Sequence, residues 1–226
     1  MVRSVDHQIC FRLADAVPAA SLLEPLRLGD PQAEALSELL QVLACGEESA
    51  SLAFARLGTS PLEDAACRAL ARVAREELIH EGLLRGLRGA LPAPAPDREL
   101  RRALLRFYHG IAQADIGLHV ASIAALGSAV CQILAALLEA DRVLAQQPDA
   151  NAIFRRIHRD EAGHVRLSRR IAAELVQGDV IGAVAETARL GLVGVLARRG
   201  AAFESLGVDA ERLFMRIGRV PNGLFQ

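Results

Sequence analysis

The sequence has no tryptophan, a single tyrosine (Tyr108) and only 4% aromatic residues. β-branched residues are sparse beside alanine and leucine, which argues against a β-rich fold and for an all-α protein. Lysine is absent as well: all 26 basic residues are arginine, which reads as a coding bias without functional content. A formal net charge of −1 gives no general case for a nucleic-acid or membrane-surface partner. The four cysteines (Cys10, Cys45, Cys67 and Cys131) form no C-x-x-C pair and are expected as free buried thiols in a reducing cytoplasm. The N-terminus carries Arg3, Asp6, His7 and Arg12 and shows no apolar signal core, so no export signal is expected.

What the chain does have is helical periodicity. Gly-Asp-Pro at 29–31 ends a mixed N-terminal segment, 1–31. A first core helix follows over about Gln32 to Leu57 and stops at Gly58. Ser60-Pro61-Leu62-Glu63 reads as a capping box opening a second helix that runs to about Arg88. Alternating prolines over 91–97 forbid helix and predict an extended connector. Helical pattern then resumes from Arg98 to about Ala145, with a break expected near Gly110. The last core helix spans about Ala150 to Val176, and two accessory helices are expected at Val180–Arg198 and Asp209–Ile217. One stretch, Ile116 to Leu138, carries no formal charge over 23 residues. It is long enough to cross a bilayer. Its glycines, serines, His119 and Gln132, and the acids on either side, fit a helix buried in a protein core better.

The informative residues are acids and histidines standing where leucines should stand. Steps of three and four keep residues on one helical face. On that face the first helix reads Leu36, Leu40, Leu43, Glu47, Ala50, Phe54. The second reads Leu70, Val73, Glu77, His80, Leu84. The last reads Ile157, Glu161, His164, Ser168, Ile171. Glu47 lies on the stripe and its neighbour Glu48 does not. Unpaired buried carboxylates cost several kcal/mol each, so three converging in one core call for a cation between them. Carboxylate and imidazole suit iron or manganese. Two of the three sites are Glu-x-x-His, Glu77/His80 and Glu161/His164, a spacing that puts both donors on one face a turn apart.

These residues carry a resemblance to the ferritin-like diiron-carboxylate superfamily, which includes rubrerythrins, ribonucleotide reductase small subunits and bacterial multicomponent monooxygenases. Gly46-Glu47-Glu48-Ser49-Ala50 is similar to the Gly-Glu-x-x-Ala of the family's first helix. Arg159-Asp160-Glu161-Ala162-Gly163-His164 is similar to the Asp-Glu-x-x-His of its last. The resemblance covers about 32–176. It implies one ferritin-like domain, a four-helix bundle of two hairpins joined by one long crossover, with 177–226 as accessory helices. It also implies two iron ions, manganese being the alternative metal. Glu47, Glu77 and His80 would hold one ion, Glu161 and His164 the other, with Glu77 and Glu161 bridging.

The chain departs from the family at the third core helix, which normally supplies a glutamate. The position in register is Gly127, and no acid occurs from Ile116 to Leu138. Three readings stay open: the second metal is weakly held or absent; Gln132, Glu139 or His119 completes the set; or the site is a remnant. His158 is an additional ligand or a neighbour orienting one, or else a half-exposed histidine among arginines. Asp160 is expected to orient a ligating histidine. Asp115 and His119 are expected to form a hydrogen-bonded pair. Arg155, Arg156, Arg159, Arg166, Arg169 and Arg170 read as a solvated face. Tyr108 is expected at a surface or interface.

The function implied by the resemblance is a diiron oxidase or oxygenase that uses O₂ and a small organic substrate, with an electron donor that the sequence does not name. Three alternatives accompany it: iron or peroxide handling as in ferritins and rubrerythrins, a non-enzymatic bundle with a degenerate metal site, and a tRNA-modifying hydroxylase. The absence of a cysteine pair removes a rubredoxin-like electron relay. By analogy, a homodimer would form through the apolar third core helix.

Overall fold

Helix breakers and capping side chains set the element boundaries in the computed structural model, which describes residues 26–91, 97–139, 143–176 and 180–225. Helix α1 (Asp30–Leu57) starts behind Gly29 with Pro31 in its first turn and closes where the Gly58 N–H donates to Phe54 O. α2 (Asp64–Gly89) begins later than the sequence predicts. The hydroxyls of Thr59 and Ser60 donate back to Arg56 O at 2.8 and 3.3 Å. They are spent closing α1, so the expected capping box at Ser60 does not form.

α3 (Arg98–Gly110) is capped by Asp97, whose Oδ1 accepts from the N–H groups of Glu99 and Leu100. The chain breaks after Gly110 as expected, and Asp115 caps α4 (Ile116–Leu137) through Leu118 N. α5 (Pro148–Leu175) starts on its own proline. Three accessory helices follow rather than two: α6 (Val180–Leu196), a 3-10 turn over Ala197–Arg199, α7 (Gly200–Ser205) and α8 (Ala210–Gly218). The extra break comes at the 3-10 turn and at Gly207, whose φ of 77° lies in the left-handed region that glycine tolerates. The proline connector 92–96, Cys10 and the N-terminal segment up to 25 lie outside the described residues.

The architecture is all-α, with no strand among the described residues. α1 pairs with α2 and α4 pairs with α5 as two hairpins, while α3 lies over α1 and α6 runs beside α4. Fully buried Leu36, Leu40, Leu84, Leu134, Phe154 and Ile157 fill one end of the bundle. Phe54, Leu70, Val120 and Ile171 fill the other. Each such side chain contributes about 1.5–3 kcal/mol by leaving water. That gain offsets the cost of a polar layer held between the two apolar clusters.

Among the described residues, two helical stretches are long and apolar enough to cross a membrane by length and composition, Ile116–Leu137 and Val180–Ser205. The first is packed between α5 and α6. The second contains Arg189, completely buried. Its guanidinium donates to Ile217 O at 2.6 Å, Ala125 O at 2.9 Å and Gln132 Oε1 at 2.9 Å, tying α8 and α4 to α6. Burial lowers its pKa to about 10. Of the described cysteines, Cys45 is buried, whereas Cys67 and Cys131 are half-buried; all three are free thiols.

Candidate metal centre

The apolar stripes of α1, α2 and α5 face one another, so the polar residues that interrupt them meet in one layer. Glu47, Glu77, His80, Glu161 and His164 are all buried there. Ligand atoms of Glu77, His80, Glu161 and His164 lie within 4.8 Å of one another. Glu47 joins from α1, its Oε2 3.5 Å from His80 Nδ1. The chain is thus an all-helical bundle with a buried carboxylate–histidine cluster able to hold metal.

The two histidines are arranged as near mirror images. His80 turns Nδ1 inward, 3.4 Å from Glu77 Oε2 and 3.7 Å from Glu161 Oε1, and its Nε2 contacts Asp160 at 3.2 Å. His164 turns Nδ1 inward, 3.1 Å from Glu77 Oε1 and 3.2 Å from Glu161 Oε1, and its Nε2 contacts Glu76 at 2.9 Å. The rings stack with centroids 5.7 Å apart, and Phe54 meets the edge of His164. In each case an acid on the opposite helix lies within hydrogen-bond reach of Nε2; with Nε2–H donating to that acid, a neutral imidazole would present its Nδ1 lone pair to the centre, the arrangement by which carboxylates orient ligating imidazoles.

The sequence reading includes Asp160 but misses its counterpart. Glu76-Glu77-Leu78-Ile79-His80 and Asp160-Glu161-Ala162-Gly163-His164 are both acid-Glu-x-x-His. Comparing the two motifs with each other, rather than each with a family pattern, singles out Glu76.

The electrostatics are compatible with a cation among these residues. Burial raises the Glu47 carboxyl well above its usual range, helped by the neighbouring charges of Glu77 and Glu161. Burial opposes charge on His80 and His164, yet the surrounding carboxylates outweigh it and raise both imidazoles well above 6.5. Glu77, although buried, is held below the usual range by its close contacts with both histidines. Its Oε2 is nevertheless buried without a hydrogen-bond partner among the described residues. A divalent ion among these oxygens and nitrogens would satisfy that atom and offset the mutual repulsion of three acids together. The donor set of carboxylate and imidazole suits iron or manganese.

The remaining sequence candidates are not among the converging donors, although His119 lines the cavity next to them. Gln132 turns its carbonyl to Arg189, away from the cluster. Glu139 is exposed beyond the last turn of α4. His119 takes the Gln113 N–H on Nδ1 at 3.3 Å, and Asp115 caps α4, so the expected Asp115–His119 pair is replaced by two bonds to backbone. Burial, then the charge of Arg56, lowers the His119 pKa. His158 is half-buried on α5 and is not among the converging donors. The arginines of α5 lie on its outer face, where only Arg156 is half-buried.

Gly127 sits where the register predicts: a Cβ there would lie 3.3 Å from Glu161 Oε2. Glu47, Glu77, Glu161, His164 and Gly127 all line one cavity of about 90 Å³. Its wall is otherwise mostly apolar, with Ser49, Tyr108, His119 and Ser168 as its polar members, and draws on α1, α3, α4, α5 and α6. Tyr108 belongs to this wall rather than to a surface, because α3 folds over α1 and Gly46 leaves room for the ring: a Cβ on Gly46 would stand 2.9 Å from the Tyr108 hydroxyl.

No family model, curated protein or solved structure matches the chain. The likeness to diiron-carboxylate proteins rests on these residues and their geometry.

Proposed function

We propose that this protein is an O₂-activating diiron-carboxylate oxidase or oxygenase acting on a small organic substrate. One observation carries the reading: the buried donors open onto an apolar cavity rather than a polar channel. An ion-handling protein needs a polar path for its cargo, whereas a dry pocket beside the donors holds an organic molecule and keeps water from competing.

In this reading Glu47, Glu77 and His80 would hold one ion, and Glu161 and His164 the other. Asp160 and Glu76 keep Nδ1 of each imidazole turned inward. Phe54 packs against His164 and closes that side of the layer. A ferrous pair held by these residues would supply electrons for the reduction of O₂. For hydroxylation, one oxygen atom enters a substrate C–H bond and the other leaves as water; two electrons come from that bond and two from an external reductant.

The test is anaerobic loading with ferrous iron, metal counting, and then exposure to O₂ while near-ultraviolet absorption and oxygen consumption are followed. Two ions per chain, with oxygen uptake that depends on an organic co-substrate, is the expected result. Uptake with iron alone as substrate would favour iron handling. No bound metal, with a Glu77→Ala variant folding like the parent, would reject an enzyme of this kind.

A further inference from the structure

Several helical hydroxyls of this protein fold back on their own helices. Ser49 donates to Cys45 O, Ser122 to Leu118 O, Thr187 to Ala183 O and Ser205 to Ala201 O, at 2.8–3.1 Å. Ser168 of α5 does not. It is completely buried and lines the cavity, and its Oγ has no hydrogen-bond partner among the described residues. A buried hydroxyl left unpaired destabilises a fold, so this one calls for a partner that the chain does not supply. Ser168 lies one turn beyond His164 on the same stripe, toward the apolar cluster of Phe54 and Ile171. At that end the wall also carries His119 of α4, between Ile116 and Ile123. Its Nδ1 accepts the Gln113 N–H, so the neutral ring, which burial favours, carries its proton on Nε2. Of the other polar wall residues, Ser49 is bonded to its own helix and Tyr108 packs its hydroxyl against Gly46.

We propose that the cavity binds a small neutral carbonyl compound, such as a short-chain ketone, its oxygen held by Ser168 with His119 as a second donor at the same end, and its alkyl end toward Glu161 and His164. Calling that molecule the substrate rests on the oxidase or oxygenase reading; its recognition does not. Ser168 can donate through Oγ–H and His119 through Nε2–H, so the polar atom that suits both is an acceptor. Glu47, Glu76, Glu77, Asp160 and Glu161 already bury five carboxyl groups in and around the polar layer, which disfavours an anion. The cavity of about 90 Å³ is smaller than the roughly 150 Å³ that takes benzene in an apolar core, which limits the ligand to about five non-hydrogen atoms. One helical turn, about 5.4 Å, separates Ser168 from His164, so a molecule of this size anchored on the hydroxyl brings its carbon chain up to the donors. There it meets the aliphatic wall of Ile123, Val130, Val165 and Leu192 and is held by burial of apolar surface.

The test uses the full chain, zinc-loaded with metal counting and metal-free, and follows the methyl NMR signals of Ile123, Val130 and Val165. The ligands are butanone, isopentane, which has the same heavy-atom skeleton without the acceptor, and butyrate. Butanone is expected to move these signals and butyrate to leave them unmoved. In Ser168→Ala the ratio of butanone to isopentane affinity is expected to fall about tenfold. The same variant should raise the urea midpoint of the ligand-free protein, because it removes an unpaired buried hydroxyl. Should Ser168→Ala fail to fold, His119→Leu is expected to lower the affinity ratio several-fold with the zinc count unchanged. Unmoved signals with butanone, binding of butyrate, or a parent-like affinity ratio in the folded variant each overturns the ligand assignment, and zinc retained in those experiments leaves the metal centre standing. Butanone binding as expected by a chain that retains no zinc supports the ligand site and overturns the metal reading.

Discussion

Asp160 of α5 holds His80 of α2 at 3.2 Å, and the reverse contact, Glu76 of α2 to His164 of α5, measures 2.9 Å. Each histidine is a donor in one motif and is oriented by the acid that opens the other. Asp160→Asn and Glu76→Gln remove a charge without changing shape. Each is expected to lower metal affinity by roughly 10–100-fold while the helical circular dichroism signal is kept. Competition with a chelator of known affinity reads the change. Parent-like affinity in both variants would mean that the two acids do not orient ligands.

Protons and metal compete for the same atoms. Although burial opposes it, the surrounding carboxylates raise the His80 and His164 pKa values above 6.5 in the metal-free protein. A histidine raised on folding contributes stability that is fully present below its unfolded value and is lost as pH rises through the folded one. Glu47, also raised, acts in the same sense from 4.5 upward. The metal-free protein should therefore show a urea midpoint that falls as pH rises above about 6.5. Metal affinity should climb over the same window, and loading should release protons into a weakly buffered solution. A midpoint that rises with pH there would contradict these protonation states.

Gly46 is the close approach that admits Tyr108 to the cavity wall. Gly46→Ala puts a methyl group 2.9 Å from the tyrosine hydroxyl and is expected to cost about 1–3 kcal/mol, as overpacking does. Tyr108→Phe removes the clashing atom, so the double variant should recover most of that loss in urea titrations. An additive double variant would place the strain elsewhere.

Arg189 is a buried cation held by backbone carbonyls and by Gln132. Arg189→Ala leaves those acceptors without their donor and is expected to destabilise the fold by roughly 2–4 kcal/mol. The metal count should stay that of the parent, because Gln132 and Ala125 contact α6 rather than the polar layer. A changed metal count with unchanged stability would reverse this assignment.

The helices and the polar layer were legible in the sequence because buried leucines and buried acids share one periodicity. Replacing Leu by Glu at a stripe position changes chemistry but not register, so Glu47, Glu77, His80, Glu161 and His164 could be placed together before any coordinates. Gly127 was placed by the resemblance, which expects a glutamate at that point of the third core helix. Glu76 was not legible that way: it lies one residue off the stripe, where an acid ordinarily faces water, and only the pairing of helices turns it inward. Arg189 was hidden for a similar reason, since an arginine in an amphipathic helix reads as a solvated residue until α8 and α4 close over it. Tyr108 was misplaced because nothing in the local pattern shows that α3 folds over α1. The capping box at Ser60 failed on competition, the same hydroxyl being used by the helix that ends there.

The crossed acid–histidine contacts join the two halves of the molecule more tightly than their number suggests. Because the imidazole of the first hairpin is aimed by the second, and that of the second by the first, neither half carries a competent coordination site by itself. Capture of an ion by this protein would thus report that the hairpins have docked in the correct register, and a chain misassembled by a single helical turn would be recognisable by its failure to retain metal.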